Sequence, residues 1–232
     1  MFNFLNKIFP KKFNDRKLAE ETFCIIDTET TGLEVRSGDK IISFAGVKVK
    51  SFKLLDAIFD QLIDPERDVP LSSSKIHGIY QKDIESSTSW AVENIVGKPK
   101  IREIEHDISN FISNCTIVGH NIQFDQDFVE TIIPYSELAL KFKLNPILDT
   151  FSLAISLFPD LESHELSDLC KTFKIKPEIR HTALGDSMMT ANLFVILARE
   201  AQERGAKSVY DLIKIMNKSI EISKHLKKNK HY

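Results

Sequence analysis

Apolar residues arrive first along this chain as short continuous runs and only later at helical spacing. Phe23–Asp27 and Ile41–Val49 are β-rich runs joined by the polar stretch from Gly32 to Asp39, and they predict neighbouring strands. Lys50-Ser51 turns the chain into a third extended stretch through Ile58 and Leu62, ended by Pro65. Links this short predict an antiparallel meander. Pro70 to Asp83 reads as a loop.

Beyond Pro99 the period changes. Ile101, Ile104, Ile108, Phe111 and Ile112 recur at helical spacing, Thr116–Val118 is a short strand, and Phe124 and Phe128 begin another helix. Ile147-Leu148 predicts a brief strand opening into a helix through Leu153 and Leu157, with Asp149 or Thr150 as the cap and Pro159 as the stop. Helices are expected over Leu166–Phe173 and Ala183–Ala201. A last one, over about Ser208–Ser223, carries Val209, Leu212, Ile213, Met216 and Ile220 on one face, for core packing or for docking a partner. Strands first and alternating helix and strand afterwards predict an α/β fold, a mixed sheet flanked by helices.

Composition narrows the function. With 232 residues, 42% hydrophobic and 28% charged, the chain should fold around its own core, and it has no run near the roughly 20 apolar residues of a membrane-spanning helix. Cys24, Cys115 and Cys170 lie far apart among apolar neighbours and read as buried free thiols. The apolar positions of Met1–Pro10 are interrupted by Lys7 and lack a small-residue cleavage site, so a cytoplasmic location is expected. The net charge of −2 hides an asymmetry: residues 1–18 and the last ten residues each carry +4, leaving −10 between them. An acidic centre does not grip a phosphate backbone unaided, and bound divalent metal is the obvious source of positive charge.

The acids themselves are placed suggestively. Asp27 and Glu29, at i and i+2 of the first strand, point to one side of it. Asp125 follows His120-Asn121 and Phe124 where a strand breaks at Gly119, and Asp186 follows His181 at the start of a helix. Such clustered carboxylates are hard oxygen ligands suited to Mg²⁺ or Mn²⁺.

The segments Phe23-Cys24-Ile25-Ile26-Asp27-Thr28-Glu29-Thr30-Thr31-Gly32-Leu33, His120-Asn121 with Phe124-Asp125, and His181 with Asp186 resemble the three motifs of the DEDDh 3′–5′ exonucleases. That family includes the proofreading epsilon subunits of bacterial DNA polymerase III and their stand-alone homologues. The resemblance runs from about Glu20 to Leu197. It implies a ribonuclease-H-like fold with a five-stranded mixed sheet, and two divalent ions, Mg²⁺ or Mn²⁺, held by Asp27, Glu29, Asp125 and Asp186. His181 is then the general base, and the reaction releases nucleoside 5′-monophosphates from a 3′ end. Thr30 would approach the terminal 3′-hydroxyl, Leu33, Ile79 and Phe124 the terminal nucleotides, and His77 would reach the substrate. Asn121 would brace the site, whereas Asp149 reads as a helix cap.

Departures from the family pattern touch none of the proposed ligands. Ser43 stands where an acid is commoner, Ala45 and Gly46 come in inverted order, and Ser86–Lys98, with Trp90, is a longer link than usual. The expected organisation is an N-terminal extension over 1–18, an exonuclease domain over 19–200, and a C-terminal helix and basic tail over 201–232. The expected substrate is the 3′ end of single-stranded or frayed DNA, with RNA or short oligonucleotides as the alternative. A polymerase or other protein could dock on the C-terminal helix, and a non-catalytic polymerase-associated binding module is the reading from another class.

Overall fold

In the computed structural model, which describes residues 16–81, 93–178 and 181–222, the first apolar run extends into β1 (Thr22–Thr30). Then come β2 (Ile41–Lys50), β3 (Lys53–Leu62), α1 (Leu71–His77), β4 (Ile79–Tyr80), β5 (Glu93–Asn94), α2 (Ile101–Ile112), β6 (Thr116–Gly119) and α3 (Gln123–Ile132). The rest of the described chain comprises α4 (Glu137–Leu144), β7 (Ile147–Asp149), α5 (Thr150–Leu157), α6 (Leu166–Thr172), α7 (Ala183–Glu203) and α8 (Val209–Asn217). A five-stranded sheet has the order β3-β2-β1-β6-β7, the first three strands antiparallel and the last two parallel to β1. This is the expected mixed sheet. The β2–β3 turn places both Ser51 (φ 51°) and Phe52 (φ 57°) in the left-handed region, as a two-residue hairpin of matching twist requires.

Strand alternation divides the core between the two faces. Phe23 and Ile25 of β1, with Val47 and Val49 of β2, pack under α5, α6, α7 and α8, where Phe194 of α7 lies 4.6 Å from Phe23, ring centre to ring centre. Cys24 and Ile26 face the other way, onto Ile104, Ile108, Phe128 and Phe142 of α2, α3 and α4. All three cysteines are free and buried, as expected. No helix among the described residues is long and apolar enough to cross a membrane.

The structure corrects three expectations. Pro70 to Asp83 is not all loop: α1 forms there, closed by Gly78 at φ 75°, and β4 follows and pairs with β5. Leu71-Ser72-Ser73-Ser74-Lys75-Ile76-His77 carries no apolar stripe to announce a helix. Helix α4 was not anticipated either, being a short segment stabilised by its Ser136 cap and by burial of Leu138, Ala139 and Phe142. The last helix, α8, is shorter than expected. Its capping box joins Ser208 and Asp211, it buries Val209 and Leu212, and it ends at Asn217 before a further turn that leaves Ile220 60% exposed. The basic N-terminal residues 1–15, most of Ser86–Lys98 including Trp90, and the lysines of the C-terminal tail lie outside the described residues.

Candidate active site

The end of β1 is where the acids gather. Asp27 and Glu29 continue the odd-numbered face that carries Phe23 and Ile25, so they project toward α7, which crosses β1 and β2. The β1–β2 register shifts between Glu29 and Thr30, a bulge of the kind that re-aims side chains at strand ends. Asp186 comes from the first turn of α7, where Thr182 accepts a hydrogen bond from the Gly185 N–H and the helix dipole favours an anion. Ligand atoms of Asp27, Glu29 and Asp186 all lie within 4.8 Å of one another. Three carboxylates that close repel one another unless a cation lies among them. Their all-oxygen donor set fits Mg²⁺ or Mn²⁺.

Asp125 does not join that group of three. It sits on α3, on the even-numbered face of β1, 5% exposed, where its Oδ1 accepts a 2.6 Å hydrogen bond from the Thr28 hydroxyl. Burial pushes its carboxyl up to about 7, against the lowering effect of the Thr28 bond and with a further push from the Asp149 carboxylate. Asp149 itself is a helix cap, as expected: Oδ2 accepts from the Ser152 N–H and hydroxyl, and Oδ1 accepts from the Asn121 N–H. It is thus the backbone of Asn121, held at φ 62°, that ties the β6–α3 turn to β7.

The histidines occupy two settings. His181 is exposed at φ 58°, immediately before the Thr182 cap of α7. His77 is buried at the end of α1, with Nδ1 accepting from the Ile79 N–H, so its neutral ring carries the proton on Nε2, for which the described residues offer no acceptor. Burial, reinforced by the charge of the nearby His181, drives the His77 ring down to about 4. The fold therefore brings together two histidines separated by more than a hundred residues. His120 hydrogen-bonds through Nδ1 to the Thr150 hydroxyl (2.9 Å), which in turn donates to the Gly119 carbonyl.

The other candidate contacts divide by exposure. Leu33 is 78% exposed on the loop after β1, while Ile79 is 2% exposed, packed with Ile42, Val69 and Ile95. Phe124 is half-buried against Phe128 (4.7 Å) and lines a groove of about 510 Å³ beside Asn121 and the last turns of α8. The Thr30 hydroxyl donates to the Gly32 carbonyl at 2.6 Å. Sequence reasoning missed Asp39, whose carboxylate accepts from the Thr31 hydroxyl, the Glu34 N–H and Arg67, and against which any side chain at position 32 would collide. It also missed Thr28. Its signal was available, since a hydroxyl between Asp27 and Glu29 must face the opposite side of the strand.

Residues 24–194 match the family model RNase_T, described as Exonuclease. The chain is 32% identical over 208 residues to a DNA polymerase III subunit epsilon-like protein of Rhodobacter capsulatus, covering 88% of this chain and 27% of the relative. It is 31% identical over 205 residues to the DNA polymerase III PolC-type protein of Bacillus subtilis, of which it spans 13%. Among solved structures, exonuclease X in complex with 5′-overhanging duplex DNA superposes with a TM-score of 0.57 at 24% identity, over 84% of this chain and 99% of that one. Escherichia coli exonuclease I in complex with a dT13 oligonucleotide gives 0.62 at 18% identity, over 80% of this chain and 42% of the other. At these identities the structures establish the ribonuclease-H-like exonuclease fold.

Proposed function

We propose, from the premise that this chain belongs to the RNase_T exonuclease family, that it removes nucleotides from the 3′ end of single-stranded or frayed DNA by hydrolysing the terminal phosphodiester. The observation that carries the reading is the convergence of Asp27, Glu29 and Asp186, with ligand atoms within 4.8 Å of one another. These three acids, joined by Asp125 from the other face of β1, would hold two Mg²⁺ or Mn²⁺ ions. When bound, such ions supply the positive charge that neutralises the scissile phosphate and the departing 3′-oxygen.

The chain's own groups do the remaining work. His181, exposed at the mouth of α7, takes a proton from the attacking water onto its ring. The buried Nε2–H of His77 is a donor held in wait, suited to an acceptor oxygen on the terminal nucleotide. Leu33 and Phe124 offer apolar surface to the terminal bases. Thr30 keeps the loop carrying Leu33 in place through Gly32, next to the position of the 3′-hydroxyl. The products are a nucleoside 5′-monophosphate and a strand shortened by one residue with a new 3′-hydroxyl.

Within this proposal residues 19–200 form the catalytic unit and 201–232 its C-terminal extension, and the protein acts in the cytoplasm. The test is a gel assay on 5′-labelled single-stranded DNA and matched RNA with Mg²⁺, Mn²⁺ or chelator, beside Asp186→Ala. A metal-dependent ladder shortening from the 3′ end, absent in the variant and faster on DNA, is the expected result. Metal-independent cleavage, or full activity in Asp186→Ala, would overturn the assignment; faster RNA cleavage would overturn the substrate.

A further inference from the structure

The groove of about 510 Å³ beside Phe124 has a second side that the exonuclease reading leaves without a task. Asn121, Gln123 and Phe124 line it from the β6–α3 turn and the start of α3, and Met216, Asn217 and Ile220 line it from the end of α8 and the turn that follows. That second side is held firmly. Helix α8 packs on α5 and β7, buries Val209 and Leu212, and receives the Asp149 N–H on Met216 Sδ at 3.2 Å. Ile220 nevertheless stays 60% exposed.

The lining selects the chemistry of the occupant. Among the described residues no lysine or arginine lines the groove, and its one carboxylate, Asp149, has both oxygens engaged by the Asn121 N–H and by Ser152. Such a surface offers nothing to a phosphate or a metal ion. It offers apolar area from Phe124, Met216 and Ile220, interspersed with amides. The Gln123 amide nitrogen donates to Asp127, which leaves its oxygen as an acceptor, and the Asn121 and Asn217 side chains make no hydrogen bond among the described residues. A flat, uncharged ring with polar edges suits that mixture, and a nucleobase is such a ring.

The register of the sheet places the groove next to the acids. Ile25, Val118 and Leu148 are level with one another across the parallel strands β1, β6 and β7. Asp149 is therefore level with Ile26, the residue before Asp27, at two strand spacings or roughly 10 Å. Groove and acids share the carboxyl end of the parallel strands, where open α/β sheets bind their ligands. A strand with its terminal phosphodiester at the acids reaches the groove with the nucleotides that come next.

Building on the exonuclease reading, we infer that this groove holds an unpaired base of the strand being degraded, upstream of the terminal nucleotide, against a wall made by Met216, Asn217 and Ile220. The wall lies beyond residues 24–194, the span of the family model, so the C-terminal helix adds a base-binding surface to the exonuclease core.

The test uses the full chain and Asn217→Ala/Ile220→Ser, two exposed side chains whose truncation spares the core. The probes are a single-stranded oligo-dA and copies of it with one abasic site, stepped from the terminal nucleotide to the fifth. Affinity is read by fluorescence anisotropy in chelator, and shortening of the intact oligomer is followed with Mg²⁺. At one upstream position the abasic site should weaken binding by the parent roughly 5–150-fold, the range for loss of one stacked base. The variant should bind intact oligo-dA more weakly than the parent and be indifferent to the abasic site at that position. A parent insensitive at every upstream position would overturn the base site, as would a variant that keeps the parental sensitivity; the latter result would leave the α8 wall to a protein partner. A parent with the expected abasic pattern that never shortens the oligomer from its 3′ end would overturn the exonuclease reading and leave the base site standing.

Discussion

The Thr28 hydroxyl and the Asp125 carboxylate are joined by a 2.6 Å hydrogen bond across ninety-seven residues of sequence, on the face of β1 opposite to Asp27 and Glu29. One strand thus presents two acids on one side and steadies a third from the other. Thr28→Val keeps the shape and removes the donor, so a buried carboxylate loses its partner at a cost of about 1–3 kcal/mol. Lower kcat and a lower melting temperature are expected, with Thr28→Ser restoring most of both. Equal damage by serine and valine would show that the methyl group, not the bond, is what matters.

Asp125 also makes stability depend on pH. Its carboxyl titrates at about 7 in the fold because burial disfavours the charge, against 3.8 for the ordinary group. The folded state therefore binds more protons than the unfolded one between these values, and stability is lost as pH rises from about 4 through 7. Asp125→Asn removes that loss. In chelator the variant should gain on the parent by about 2–3 kcal/mol between pH 5 and pH 8, measured by urea melts; a constant difference would show that Asp125 is not the titrating group.

His77 works in the opposite direction. Buried and facing the charge of His181, it titrates near 4 in the fold instead of 6.5, so stability falls as pH drops from 6.5 through 4. His77→Gln should shed up to about 3 kcal/mol of this acid sensitivity. Direct NMR titration offers an independent check: a His77 ring that charges above pH 6 would contradict its burial.

Gly32 is required by close approach. A methyl group there runs into the Asp39 carboxylate, which three hydrogen-bond donors hold still. Gly32→Ala should cost about 1–3 kcal/mol and raise KM by displacing Leu33. Combining it with Asp39→Ala removes the collision, so the double variant should be less damaged than the sum of the two singles. Strict additivity in the melts would place the strain elsewhere.

His181→Ala should lower kcat by about 10²–10⁴-fold with little change in KM, the signature of a group that acts on a proton and not in binding. A purely higher KM would make it a substrate contact.

How much of this was legible beforehand follows from the range of each interaction. Residues 23–27 and 41–49 announce strands because β-branched and aromatic runs have few alternatives, and Asp27 and Glu29 share a side because the period of a strand is two. Asp149 as cap and Asp186 at a helix start were likewise local matters of a few residues. Helix α1 was not legible, since it buries Ser73, Ser74 and His77 without an apolar stripe, nor was α4, eight residues held by one cap and three buried side chains.

The amino-acid sequence by itself determined the mixed sheet, the four acids and two of the histidines at its edge, because these depend on periodicity and on motifs contiguous in the chain. Tertiary structure alone decided that Asp27, Glu29 and Asp186 share one cluster while Asp125 stands behind Thr28, and that His77 and His181 come within electrostatic reach of each other. Each of those is a distance between residues far apart in sequence. Such distances are set by how α3 and α7 pack on opposite faces of one twisted sheet, and only the packing of the whole core specifies that.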